Sequence, residues 1–372
     1  MRELKSILVL RPDRLGDVIV STPVHRVLRE QFPNAKIHWL VQDWIAPLLA
    51  GLDGMSSIIR YQPSGEHQGH VGFRKLLSEL RALQPDAVIA LQHTPRVSWA
   101  ARLAGIPVRV GPLSKFSSYV LFNQGVRQNR SQSLKHEAEY GLDLLRALGV
   151  KSEACQNARG KGPQVQLTDV ALQWARDWLS LRGLMPGEAV GIHPGMGGSA
   201  LNWPQARYIE LTQLFVKAGT PVILTAGAGE AGLQRAILEA ARNWSPDEQM
   251  RVHPISADAD GMDLMRLAAL QSLLKSYIAP STGPLHLASA VGTKVASVYP
   301  PIQVQHPRRW GPYVSPERAH VLTPVSEAQC GQQYQCKGAG CSLYPCMARV
   351  SAQDVAQALA QNGAQGGAGT EG

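Results

Sequence analysis

Short apolar runs of four to six residues alternate along this chain with longer stretches in which apolar residues recur at helical spacing. That rhythm restricts the fold more than any other feature of the sequence. Ile7–Leu10, 36–41 and 87–91 read as buried strands, with helical runs over 18–31 and 97–104. Pro23 falls early in its run, where proline is tolerated best. The second half repeats the grammar, with strands expected at 189–193, 221–225, 276–279 and 294–299 and helices near 169–182, 205–218, 230–242, 262–274 and 284–291. Such alternation predicts parallel sheets flanked by helices. A length of 372 residues suits two domains of this kind, with a breaker-rich linker at Arg159-Gly-Lys-Gly-Pro163 between them. We therefore expect an α/β chain of two doubly wound domains facing each other across a cleft, over 1–162 and 163–350. A final helix follows over 351–362, and a Gly/Ala-rich tail, expected to be disordered, over 363–372.

Ligands in open parallel sheets bind beyond the carboxyl ends of the strands. Two segments at such ends have the chemistry for it. Ser281-Thr-Gly-Pro-Leu-His286 joins a strand to a helix, and a helix start directs backbone N–H groups at an anion. His286 lies one turn further on, placed either as a packed structural residue or as a donor to a diphosphate. Glycines at 195, 197 and 198 with Ser199, and the stretch Gly227–Glu230, would allow close backbone approach or simply make tight turns. In the other half, Arg11-Pro-Asp-Arg-Leu-Gly-Asp17 places Asp17 at a helix start, where it either caps the helix or takes a proton from an attacking hydroxyl.

Charge separates the halves. Residues 1–162 hold 22 Lys and Arg against 13 Asp and Glu, a net +9, whereas 163–372 hold 15 against 15. The asymmetry is either a basic surface that only keeps the chain soluble or, as it is better explained, a face for an anionic membrane leaflet or a phosphorylated lipid-linked acceptor. Nucleic acid is not expected, because no motif that reads it is present and aromatics are only 6%. The first apolar run is too short for a signal-peptide core, and no run reaches membrane-spanning length, so a cytoplasmic protein is expected.

Other chemistries fit poorly. Asp258-Ala-Asp260 has the spelling of a metal-holding pair, yet its place before a helix makes it a cap. Cys330, Cys336, Cys341 and Cys346 lack the paired C-x-x-C knuckle of zinc sites, and Cys155 stands apart. No metal is expected. No dinucleotide-binding G-x-G-x-x-G follows the first strand, and neither a Walker loop nor a G-x-S-x-G elbow occurs.

The segments 11–23, 198–204, 226–230, 281–288 and Cys346-Met347, in that order and spacing, make the chain resemble glycosyltransferase family 9, the lipopolysaccharide heptosyltransferases and their relatives. The resemblance implies a GT-B fold of two Rossmann-like domains and an inverting reaction needing no metal or other cofactor. It also implies transfer of a sugar, most simply heptose from ADP-heptose, to a lipid-linked saccharide on the inner face of the inner membrane. By position, Asp17 is similar to the family's catalytic base. Thr282, Gly283, His286, Ser281 and Ser199 fall on donor contacts, Glu230 on a ribose contact and Met262 on the base pocket. Arg96, Lys115 and Arg127 are placed on the acceptor side. The chain departs from the family at Leu201, where a Lys or Arg is common, and at Ser281, where an Asp is. These departures leave room for another nucleotide sugar and another surface glycan, or for a binder without catalysis.

Overall fold

The computed structural model describes residues 4–114, 116–159, 161–198, 200–330 and 335–361. It divides into two compact units, 1–130 with 134–166 and 131–133 with 167–372. The tail expected to be disordered lies outside the described residues.

The first unit is a six-stranded parallel sheet, β1 Ser6–Leu10, β2 Lys36–Gln42, β3 Met55–Tyr61, β4 Ala87–Ala90, β5 Val108–Pro112 and β6 Gln124–Val126, in the order β3-β2-β1-β4-β5-β6. The central strands β1 and β4 are apolar at nearly every position because helices cover both faces of the sheet. Leu8, Leu10 and Val88 pack against Leu76 and Leu80 of α2 (Gly69–Leu83) and Val97 and Ala100 of α3 (Pro95–Leu103). On the other face α1 (Leu15–Gln31) packs with the later helix Glu137–Leu144. That helix is α5 (Glu137–Leu144), and the short helix α4 (Phe116–Leu121) precedes it between β5 and β6.

The second unit repeats the plan with β7 Val190–Ile192, β8 Val222–Ala226, β9 Val252–Ser256, β10 Ser276–Ile278, β11 Val295–Val298 and β12 Ala319–Leu322, in the order β12-β11-β10-β7-β8-β9. Its main helices are α6 (Asp169–Ser180), α7 (Gln205–Lys217), α8 (Ala231–Ala241), α9 (Leu264–Ser272) and α10 (Gly283–Ala290). The terminal α11 (Ala352–Ala360) buries Ala352 and Val355 in the core formed by β7, β8, β11 and α7. Each unit has one topological switch point, between β1 and β4 and between β7 and β10, where neighbouring connections run to opposite sides of the sheet. Five strands were not expected from sequence: β3, β5, β6, β9 and β12. The helices α2, α4 and α5 were not expected either. No described helix is long and apolar enough to cross a membrane.

Candidate active site

Arg11 is the first residue beyond β1, and its N–H bonds to the carbonyl of Leu40 at 2.9 Å, so the strand's end is fixed beside β2. Its side chain is only 1% exposed and runs across the switch point to Gln92, beyond the end of β4, at 3.4 Å. A buried guanidinium needs carboxylates, and it has three. Nη2 lies 3.1 Å from both Asp17 Oδ1 and Glu137 Oε1, and Nε lies 3.3 Å from Asp13 Oδ2. Glu137, from the first turn of α5, also holds Arg130 at 2.7 Å, and Arg130 in turn donates to the carbonyl of Leu91 at 2.7 Å.

Asp17 is in the first turn of α1, but the helix has no side-chain cap and the carboxylate is turned onto Arg11 instead. Burial raises the Asp17 carboxyl above its ordinary range; Arg11 opposes this, while Asp13 and Glu137 add to the rise and Arg14 opposes it weakly. Asp13 is raised for the same leading reason. Burial pulls the Arg11 guanidinium down, but Asp17, Glu137 and Asp13 together more than offset it. The chemical result is a carboxylate that remains paired yet is more basic than a solvated one, as proton abstraction requires.

The second switch point carries the other cluster. β10 leads into Ser281 and Thr282, and α10 begins at Gly283 without a side-chain cap. The helix start offers fewer donors than a general helix start would. Pro284 has no N–H, and the Leu285 N–H bonds to the Thr282 carbonyl at 3.1 Å, so Gly283 supplies the first-turn amide. His286 and Met262 are both buried. Ser281 bonds to the hydroxyl of Tyr299, which is fully buried and whose ionisation is pushed upward by that burial.

The glycine loop after β8 is also more committed than the sequence suggests. Glu230 folds back so that Oε2 accepts the Gly227 N–H at 3.1 Å and stands 3.1 Å from His193 Nε2. The His193 contact, together with the Gly227 N–H bond, holds the Glu230 carboxyl below its ordinary range against the effect of burial. The carboxylate lies over Gly195 and Gly227; a Cβ at either would come within 2.7 Å of Oε2, so a side chain at either position would push the Glu230 carboxylate aside. Asp258 takes the Gly229 N–H at 3.1 Å and Asp260 the Ser256 N–H at 2.8 Å. The Asp258/Asp260 pair therefore acts on backbone groups, as a capping pair does.

Among the acceptor-side residues, Arg96 donates to the carbonyls of His67 (2.6 Å) and Gly69 and lies 5.3 Å from the Phe73 ring centroid, which fixes the start of α2. Arg127 is exposed. Lys115 and Ser199 lie outside the described residues. Leu201 packs against the second unit's core, and its N–H bonds to Gln305 at 3.1 Å. Cys330, Cys336, Cys341 and Cys346 carry thiols that line one small pocket, and burial followed by the neighbouring thiols raises Cys346. Among the described residues, no three His, Cys, Asp or Glu side chains are grouped to hold a metal ion.

The residues that sequence reasoning missed are Glu137, Arg130 and Gln92. Glu137 lies 126 residues from Arg11. One signal was available: Glu137 is the first carboxylate after Asp86, ending a 50-residue stretch without any.

Two six-stranded parallel sheets, each with a charged or glycine-rich cluster at its switch point, define the GT-B fold class. More narrowly, the glycosyltransferase family 9 (heptosyltransferase) profile matches residues 73–339, and the chain belongs to that family. A Haemophilus influenzae protein named "Putative glycosyltransferase" is 30% identical over 315 residues, covering 83% of this chain and 86% of the relative. Lipopolysaccharide heptosyltransferase 2 of Escherichia coli is 25% identical over 298 residues, 79% and 82% of the two chains. The crystal structure of a family 9 glycosyl transferase from Veillonella parvula aligns with a TM-score of 0.79 at 22% identity, covering 95% and 96%.

Proposed function

We propose that this enzyme moves a heptose from ADP-heptose, with inversion, onto a lipid-linked saccharide during assembly of the lipopolysaccharide core, at the inner face of the inner membrane. The observation that carries this reading is the Asp17 carboxylate at the β1/β4 switch point, paired to Arg11 and kept basic by burial. An acceptor hydroxyl attacks the anomeric carbon while its proton passes to Asp17. The bond from that carbon to the diphosphate breaks, and the nucleoside diphosphate leaves with the electron pair. No proton is needed on the leaving group, so one base suffices. Gly283 N–H, Thr282 and His286 are assigned to the diphosphate, Ser281 and Ser199 to the donor, Met262 to the base and Glu230 to the ribose. Arg127 and Lys115 are assigned to the acceptor, whereas the bonds of Arg96 to its own chain support only a positioning role there. Activity would need no metal.

One observation favours a second donor. Leu201 is packed as an apolar residue and Ser281 is a neutral hydroxyl bonded to Tyr299, so a cation and an anion common in heptosyltransferases are both missing. The test is a thermal-shift panel of nucleotide sugars, followed by measurement of nucleoside diphosphate release with acceptor. Stabilisation and release with ADP-heptose support the first reading. Release with a different nucleotide sugar, and none with ADP-heptose, supports the second.

A further inference from the structure

Three of the six residues of α4 are exposed and apolar: Phe116 at 88%, Tyr119 at 58% and Val120 at 41%. Their spacing of three and four residues sets them on one stripe. On α3, Trp99 and Leu103 are 43% and 49% exposed, one turn apart. The two stripes adjoin, because Arg102 Nη1 donates to the carbonyl of Val120 at 2.7 Å. A solvated helix face of this kind ordinarily carries polar side chains, and large contiguous apolar exposure marks an interaction surface.

The charge around the stripe says what it meets. From Ala87 to His136 the chain has seven Lys and Arg and no Asp or Glu. Arg130 belongs to the buried cluster and Lys135 pairs with Asp143 at 2.6 Å. Arg96, Arg102, Arg109 and Arg127 form no ion pair among the described residues. Arg109 donates to the carbonyls of Leu121 (2.9 Å) and Ile106 (2.6 Å), and its guanidinium is pulled down first by burial and then by Arg102, so positive charge accumulates beside the two helices. A second copy of the chain would bring the same basic stretch, with no Asp or Glu of its own between Ala87 and His136. A layer of lipid phosphates over acyl chains supplies anions and an apolar phase together, which suits aromatic rings edged by guanidinium groups.

We propose that the α3–α4 face docks on an anionic lipid bilayer, with Phe116, Tyr119 and Trp99 entering the headgroup region and Arg102 meeting lipid phosphates. The inference rests on the lipid-linked acceptor for its purpose, but its test contains neither donor nor acceptor, so the transferase reading and the docking face can fail separately. In flotation with vesicles of about 30% phosphatidylglycerol in phosphatidylcholine, the full chain should rise with the vesicles, and it should not rise with pure phosphatidylcholine. The double substitution Phe116→Ser, Tyr119→Ser should lower partition about tenfold with a nearly unchanged melting temperature, since both side chains are more than half exposed. The proposal is overturned if the parent chain stays in the soluble fraction with anionic vesicles, or if the variant floats as well as its parent. It is likewise overturned if the substitution only turns a dimer into a monomer and leaves vesicle binding intact.

Discussion

Asp17 shares one guanidinium with two other carboxylates, and that sharing decides how basic it is. A private Arg11 pair would depress its pKa; here burial dominates, Asp13 and Glu137 repel, and the value rises instead. For a carboxyl raised in the fold, ionisation costs stability as pH climbs from the unfolded value, about 3.9, through the higher folded one. Below that window the cost is absent, and above it the cost is complete. Asp17→Asn should therefore lower turnover by about 100- to 10,000-fold, the usual weight of a general base, while nucleotide affinity holds. Its melting temperature at pH 7 should be no lower than that of the parent. A lower one would mean that the Arg11 pair outweighs burial. Glu137→Gln tests the same cluster from the far side. Removing a charge that repels Asp17 should move the acid limb of the kcat/KM profile to lower pH, and Arg11 and Arg130 lose the buried carboxylate they share, so stability should fall by about 3 kcal/mol in urea titrations. An unmoved limb would show that Glu137 acts only as a structural partner.

At the scale of elements, an indole joins the terminal helix's entry to the second unit, beside the core contacts of Ala352 and Val355. Trp203 is 2% exposed, its Nε1 donates to the carbonyl of Val350 at 3.0 Å, and its ring meets Tyr208 edge-on with centroids 5.1 Å apart. Trp203→Phe keeps most of the apolar contact but leaves a buried carbonyl without its donor. The expected loss is about 1–3 kcal/mol by urea denaturation, with α11 the first segment to exchange amide hydrogens. A loss near zero would mean that water replaces the indole. The central strands were legible in sequence for a related reason. β1, β2, β4, β7, β8, β10 and β11 are buried at nearly every position and are mostly apolar, with only isolated polar residues such as His38 and Ser297. The missed strands β3, β6, β9 and β12 are the four sheet edges, where one side is wet and residues such as Ser56, Ser57 and His253 interrupt the pattern. β5 escaped because Arg109, Gly111 and Pro112 break its run. The half-sites were readable where backbone chemistry marks them, as at Gly16-Asp17 and Ser281–His286. They were not readable where a loop's amides are already taken by Glu230 and Asp258, because those bonds depend on where the loops come to rest.

Across the whole molecule, charge is partitioned by unit rather than spread. The first 162 residues carry a net +9 and the remainder carries none. Nucleotide contacts are assigned to the second half, so donor capture should draw on local groups, whereas approach to an anionic acceptor surface should draw on the summed field of the first half. Exposed charges more than a Debye length apart are screened, and that length falls from about 10 Å at 0.1 M to about 3 Å at 1 M salt. Buried pairs such as Arg11 with Glu137 feel far less of this change, so the catalytic cluster should persist while long-range attraction fades. The expectation is a KM for acceptor presented in phosphatidylglycerol vesicles that climbs steeply between low and high salt, with kcat and the KM for nucleotide sugar nearly flat. Acceptor dispersed in a neutral detergent should show a much weaker salt dependence. If both presentations respond alike, the basic excess does not steer the enzyme to the membrane, and the asymmetry serves some local purpose within the first unit. If the donor KM climbs instead, the diphosphate site depends on exposed cations that the buried geometry around Gly283 and His286 does not supply.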